Sequence, residues 1–184
     1  MSNASLELLA QSAQARRENH PEDANRLLTE AVGLCRRGDA PGQLAAALCA
    51  LGQIERDLRS GDVALGHYEE AAAIYRAEGD ALKLSHTVRH LGDIHREDGR
   101  AELAEPCYRE ALEIYRAHSG ETPALELANA IRGYAILQGE TGKAAEAANL
   151  WREAGELYAA ENVEAGVAEC RRRLDFIDRG LPNS

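Results

Sequence analysis

Apolar side chains along this chain recur at spacings of four, three and three. Ala64, Tyr68, Ala71 and Ile74 form one set, Ala104, Tyr108, Ala111 and Ile114 a second, and Ala147, Trp151, Ala154 and Leu157 a third. That spacing places each set on one face of an α-helix. The alanines let two helices approach closely, and the large rings fill the space between neighbouring hairpins. Burying each larger apolar side chain contributes roughly 1.5–3 kcal/mol. Polar, glycine-bearing breaks separate such stretches at Arg37-Gly38-Asp39, Gly79-Asp80, Ser119-Gly120 and Glu140-Thr141-Gly142. The pattern predicts helices over 5–19, 21–37, 41–58, 61–78, 81–98, 101–118, 123–140 and 143–160. A ninth, over 163–179, aligns Val167, Cys170, Leu174 and Ile177 on one face and covers the end of the stack. Leu181–Ser184 reads as a tail. Thr122 before Pro123 reads as an N-cap with proline at the first helical position.

The blocks repeat. The stretch from Leu51 to Asp80 aligns without a gap on the stretch from Leu91 to Gly120, and Gly142–Ala160 aligns on Gly99–Ala117. A weaker first copy begins at Pro21. Gly52 and Gly92 fall inside helical patterns, where glycine costs about 1 kcal/mol relative to alanine, so each predicts close packing against a neighbouring helix. Ala135 takes the equivalent place in the fourth copy. The expectation is a single domain over 1–184, with repeats at 5–37, 41–78, 81–118 and 123–160.

Composition sharpens this. Of 184 residues, 45% are apolar and 28% charged, and only five are proline, which suits helices. The formal net charge of -10 repels phosphates and anionic membrane surfaces, so neither nucleic acid nor membrane is an expected partner. No apolar run is long enough to span a bilayer, and the N-terminal residues lack the layout of a secretory signal, so a cytoplasmic setting is expected. The four cysteines, Cys35, Cys49, Cys107 and Cys170, show no CxxC spacing and read as reduced thiols packed in helices.

The pattern resembles the tetratricopeptide repeat family in its longer, 40-residue form, over nearly the whole chain. The family's Leu-Gly pair matches Leu51-Gly52 and Leu91-Gly92. Its alanine, aromatic and alanine match Ala64, Tyr68 and Ala71, then Ala104, Tyr108 and Ala111. The family's later proline is replaced by Arg76 and Arg116, and the first repeat departs most from the pattern. The resemblance implies an all-α, right-handed α-solenoid of about four antiparallel helix pairs plus a C-terminal capping helix. It also implies a concave groove, lined by the first helix of each pair, that receives a peptide or partner helix.

Carried onto this sequence, that groove holds Arg16, Arg56 and Arg96 at one equivalent position, Arg89 and Arg132 at another, and His86 and Asn129 at a third, with Gln53 and Asp93 also facing inward. Two readings of the arginines stay open. They form a positive strip suited to carboxylates through bidentate hydrogen bonds, or they pair with Asp57, Glu55, Glu97 or the adjacent repeat on a solvated face. The Asn and Lys arrangement by which some family members clamp a carboxylate terminus is not matched.

Other chemistry is sparse. His86 and His90 stand one turn apart, with His95 beyond, but no carboxylate or cysteine completes a metal site at motif spacing. Arg171, Arg172 and Arg173 suit a helix C-terminus without any ligand. There is no glycine-rich phosphate loop and no GxSxG, so no enzyme, cofactor or metal is expected. The expected function is a protein-interaction scaffold. The alternative is a sensor or regulatory domain of a larger signalling or transcription-regulatory protein. Self-association through a terminal repeat is a further expectation.

Overall fold

A short turn recurs inside each of the four predicted helix pairs, and it explains why the first helix of each pair ends where it does. Asn19, Gly99 and Gly142 each adopt positive φ, and so does Arg59, at 65°. In each, the amide of that residue donates to the carbonyl three back, and the next amide reaches five back: Asn19 to Arg16 and His20 to Ala15, Arg59 to Arg56 and Ser60 to Glu55, Gly99 to Arg96 and Arg100 to His95, Gly142 to Gly139 and Lys143 to Gln138. These are Schellman closures, which satisfy the last carbonyls of one helix and turn the chain back into the next. Glycine or asparagine suits the left-handed backbone; arginine does not. Arg59→Gly is therefore expected to raise stability by about 1 kcal/mol, read as a higher urea midpoint at unchanged slope.

The computed structural model describes residues 3–38 and 40–180. Among them run nine helices: α1 (Asn3–Arg17), α2 (Pro21–Arg37), α3 (Pro41–Asp57), α4 (Gly61–Glu78), α5 (Ala81–Glu97), α6 (Ala101–Ala117), α7 (Ala124–Glu140), α8 (Ala144–Ala160) and α9 (Glu164–Asp178). No strand occurs among the described residues, and each helix lies within two residues of its predicted span. The expected tail, Leu181–Ser184, lies outside the described residues, as does Asp39. The chain forms two compact units, Met1–Thr87 and Val88–Ser184.

The first unit packs α1 on α2 and α3 on α4, with α2 against α3. Its centre is Leu28, Leu48, Ile54 and Tyr68, all essentially without solvent contact. A Cβ on Gly52 would meet the Tyr68 ring at 2.9 Å, so glycine is what lets α3 close on α4. The second unit packs α7 on α8 and α8 on α9, with α6 against α7, around Ile94, Tyr108, Tyr115, Ile131, Leu137 and Trp151. Tyr108 is wedged between two glycines: a Cβ on Gly92 would meet its ring at 3.2 Å, and one on Gly133 at 2.7 Å.

Three sequence expectations need correction. Ile74, Ile114 and Leu157 are only half-buried, and the buried face runs instead through Tyr75, Tyr115 and Tyr158. Ten residues from Ala64 a helix has turned about 80° off that face, whereas eleven bring it back within about 20°. Pro123 is the N-cap of α7, with ψ 129°, and Ala124 is the first helical residue. Thr122 closes the preceding helix instead: its hydroxyl donates to the carbonyls of Tyr115 and His118, at 3.0 Å each. The close-packing glycine of α7 is Gly133; Ala135, at the expected place, is buried too.

The free cysteines are all helical, with Cys35 and Cys170 buried and Cys49 and Cys107 half-buried. Burial pushes the Cys170 thiol up to about 11, which keeps it protonated and unreactive at neutral pH.

On α9, Cys170 and Gly166 are buried, and Val167, Leu174 and Ile177 are half-buried. The other side of α9 turns the repeat pattern polar. Arg171 stands where α3, α5 and α7 carry Leu48, Val88 and Ile131, and Asp175 stands where they carry Gly52, Gly92 and Ala135. Both are exposed. On α9 the positions that are buried on its predecessors therefore carry charged side chains open to water.

Candidate partner-binding surface

The first helices of the pairs (α1, α3, α5 and α7) carry the polar residues singled out from the sequence, and each unit treats them differently.

In the first unit, Arg16 on α1 bonds Asp57 on α3 at 3.2 Å, and Gln53 donates to the other oxygen of the same carboxylate at 3.0 Å. Both partners of the ion pair are about half-exposed, so the pair contributes little to stability. Arg56 lies in the last turn of α3 and His86 on α5, both half-buried. Around Arg16 the surface is apolar. Leu9, Ala13, Leu28, Ala50 and Ile54 line a cavity of about 450 Å³ between α1 and α3.

In the second unit the network is tighter. Asp93 is buried and accepts from two directions: the Tyr108 hydroxyl at 2.7 Å on one oxygen and the Arg89 guanidinium at 2.9 Å on the other. Arg89 retains only 11% side-chain exposure and also touches the His90 ring nitrogen Nε2 at 2.8 Å. Burial, and after it the Asp93 carboxylate, push the Tyr108 phenol far above its ordinary value, so it remains a donor at any physiological pH. Arg96 bonds Glu140 on α7 at 3.2 Å and Glu97 at 3.4 Å. Arg132 grips Glu169 on α9 through Nε at 2.7 Å and a terminal nitrogen at 2.9 Å. That bidentate bond uses two of its five donors, and the side chain stays 40% exposed. Asn129 accepts from the Tyr158 hydroxyl at 2.8 Å, and burial pushes that phenol up to about 12.

Arg16, Arg96 and Arg132 are thus held by carboxylates one repeat along, and the same device recurs on the second helices as Arg36–Glu70 and Arg116–Glu153. Of these pairs, that of Arg132 is made through two nitrogens to one carboxylate and so orients the guanidinium plane, whereas Arg16, Arg36 and Arg116 each use a single nitrogen. His90 is turned into this network, and among the described residues no group of three His, Cys, Asp or Glu side chains could hold a metal ion. No described helix is long and apolar enough to cross a membrane.

The family model described as "Tetratricopeptide repeat" matches residues 43–117. Over that segment the chain is similar to tetratricopeptide repeats. The solved structures extend the likeness in fold beyond that segment. BtubC (BKLC) from P. vanneervenii superposes with a TM-score of 0.71 at 20% identity, covering 96% of this chain and 82% of that one. A putative kinesin light chain of Podosopora anserina with nearly identical tetratricopeptide-like repeats gives 0.70 at 14% identity over the full length of both chains. A singly substituted form of that light chain gives 0.71 at 14% identity, over 96% of each. No curated protein matches the sequence.

Tetratricopeptide repeats generally mediate contacts between proteins. Sequence reasoning misses Glu140, Glu169, Tyr158 and Gly133. Glu140 and Glu169 sit in helical surroundings rich in other carboxylates, and nothing local marks the two that meet an arginine. Tyr108 reads as a core ring, which leaves out its hydroxyl bond to Asp93. The signal for that bond is the pairing of a buried-face tyrosine with an acidic residue on the preceding helix.

Proposed function

We propose that this chain is a protein-interaction scaffold and that the first helices of its repeats receive a peptide or partner helix. The observation that supports it most is Arg132. It is clamped bidentately by Glu169 yet 40% exposed, so it is oriented in advance, and a ligand carboxylate meets donors that need no further ordering. In the first unit Arg16 is held more loosely, by one nitrogen on Asp57 at 3.2 Å, with the side chain about half-exposed.

The test uses Arg132→Ala and Arg16→Ala, because Arg96, at 17% exposure, is too embedded to be removed cleanly. A partner recovered from native lysate is titrated against wild-type and doubly substituted protein. Affinity is expected to fall on the order of tenfold or more, with circular dichroism and urea midpoint nearly unchanged. Equal affinity for the two proteins would remove the first-helix surface from the binding reaction.

A further inference from the structure

Phe176 is the chain's only phenylalanine, and it is 40% exposed on α9. Its place in the repeat is set by a contact. Trp151 on α8 occupies the position of Tyr108 on α6, and Arg173 lies over the Trp151 ring at 5.9 Å, where Gly133 lies against Tyr108. Aligned in that way, Phe176 falls in the same row as Asp93 of α5 and the half-buried Ile136 of α7. Arg172 falls in the row of Arg89 and Arg132, and Arg179 in the row of Arg96. Phe176 is therefore not a stray core residue. It stands on the face that bears the polar network.

Its neighbours carry the charge. Arg172, Asp175, Phe176 and Arg179 line a shallow cavity of about 180 Å³. Arg172, one turn before Phe176, is exposed and makes no ion pair among the described residues, unlike Arg89, Arg96 and Arg132 on the preceding first helices. Arg179, one turn after it, meets Asp175 at 3.5 Å, with both side chains about 70% exposed, a pair that exchanges readily with a competing carboxylate. The result is an exposed aromatic ring between two available guanidinium groups, on a chain whose net charge is -10. Such a ring-and-arginine combination is typical of residues that dominate binding energy.

We propose that this face of α9 is the anchoring subsite of the peptide surface, and that it takes an acidic peptide: one large apolar side chain against Phe176, flanked by carboxylates on Arg172 and Arg179. This rests on the reading of the first helices as a peptide surface, and it adds the chemistry of the partner. The net charge of -10 disfavours such a peptide on surfaces without arginines.

The experiment selects from a phage-displayed library of random dodecapeptides on the full 184-residue chain, then measures the winners by fluorescence anisotropy. Selected peptides are expected to carry Asp or Glu on either side of Phe, Trp or Leu. Phe176→Ala and Arg172→Glu should each weaken them on the order of tenfold. Arg171→Glu makes the same charge change one position along, off this row, and should alter affinity less than about twofold. Because Phe176 and both arginines are exposed, none of these changes should alter the circular dichroism spectrum. An equal loss with Arg171→Glu would show diffuse electrostatics and overturn the subsite. So would enrichment of basic or uncharged peptides. Winners insensitive to Phe176→Ala but lost on Arg132→Ala would retain the peptide surface and remove α9 from it. A library yielding no specific binder would count against both.

Discussion

Trp151→Ala is expected to destabilise the chain by about 3–5 kcal/mol, seen as a lower urea midpoint in far-ultraviolet circular dichroism. The indole, on α8, is 1% exposed and takes the repeat position of Tyr68 and Tyr108. Its N–H meets no acceptor among the described residues, so what the ring contributes is shape and apolar area rather than a hydrogen bond. The Arg173 guanidinium lies over it at 5.9 Å and keeps that contact only while the ring is present. Trp151→Tyr restores the residue type of the earlier repeats and should recover most of the loss. A Tyr variant as unstable as the Ala variant would show that the cavity is tailored to indole, against the repeat logic.

Asp93→Ala should be comparably damaging, also about 3–5 kcal/mol, for an electrostatic reason. Removing the carboxylate leaves the Arg89 guanidinium, 11% exposed, and the buried Tyr108 hydroxyl without the group that organises them. Tyr108→Phe removes the hydroxyl but keeps the Arg89–Asp93 ion pair and the ring wedged between Gly92 and Gly133, so it should cost only about 1 kcal/mol. Chemical unfolding of both variants separates the two effects. A loss for Asp93→Ala no larger than that for Tyr108→Phe would mean that water replaces the carboxylate, and the network would then be ornamental to the fold.

The network also bears on function. The buried Arg89 and the partly exposed Arg132 occupy one equivalent position of successive first helices, but burial decides their roles. An embedded guanidinium such as Arg89 is tied to Asp93 inside the fold, while the proposed ligand contacts fall to those with spare donors, Arg132 and Arg172. Equivalent positions in a repeat therefore need not be equivalent in chemistry.

Helix spans, the alanine and ring positions, and the use of Gly52 and Gly92 are all legible in the sequence, because each rests on residues a few positions apart. Periodicity marks a face, and a glycine in a helical pattern announces a close neighbour. The fourth residue of the face is harder: adjacent apolar residues, Ile74 and Tyr75, compete for one turn, and only packing ranks them. Thr122 before Pro123 satisfies a helix-start rule, yet the same hydroxyl bonds the carbonyls of Tyr115 and His118 at the end of α6.

The all-α class, the helix boundaries and the repeat are properties of local spacing and turn chemistry, and the amino-acid order alone suffices for them. It does not suffice to say which carboxylate meets which arginine, that Tyr108 sits between Gly92 and Gly133, or that Phe176 stands exposed between Arg172 and Arg179. Those outcomes come from packing, from how one helix is set against another some forty residues away. A shift of a single turn, about 5.4 Å, would exchange every partner while leaving each helix unchanged.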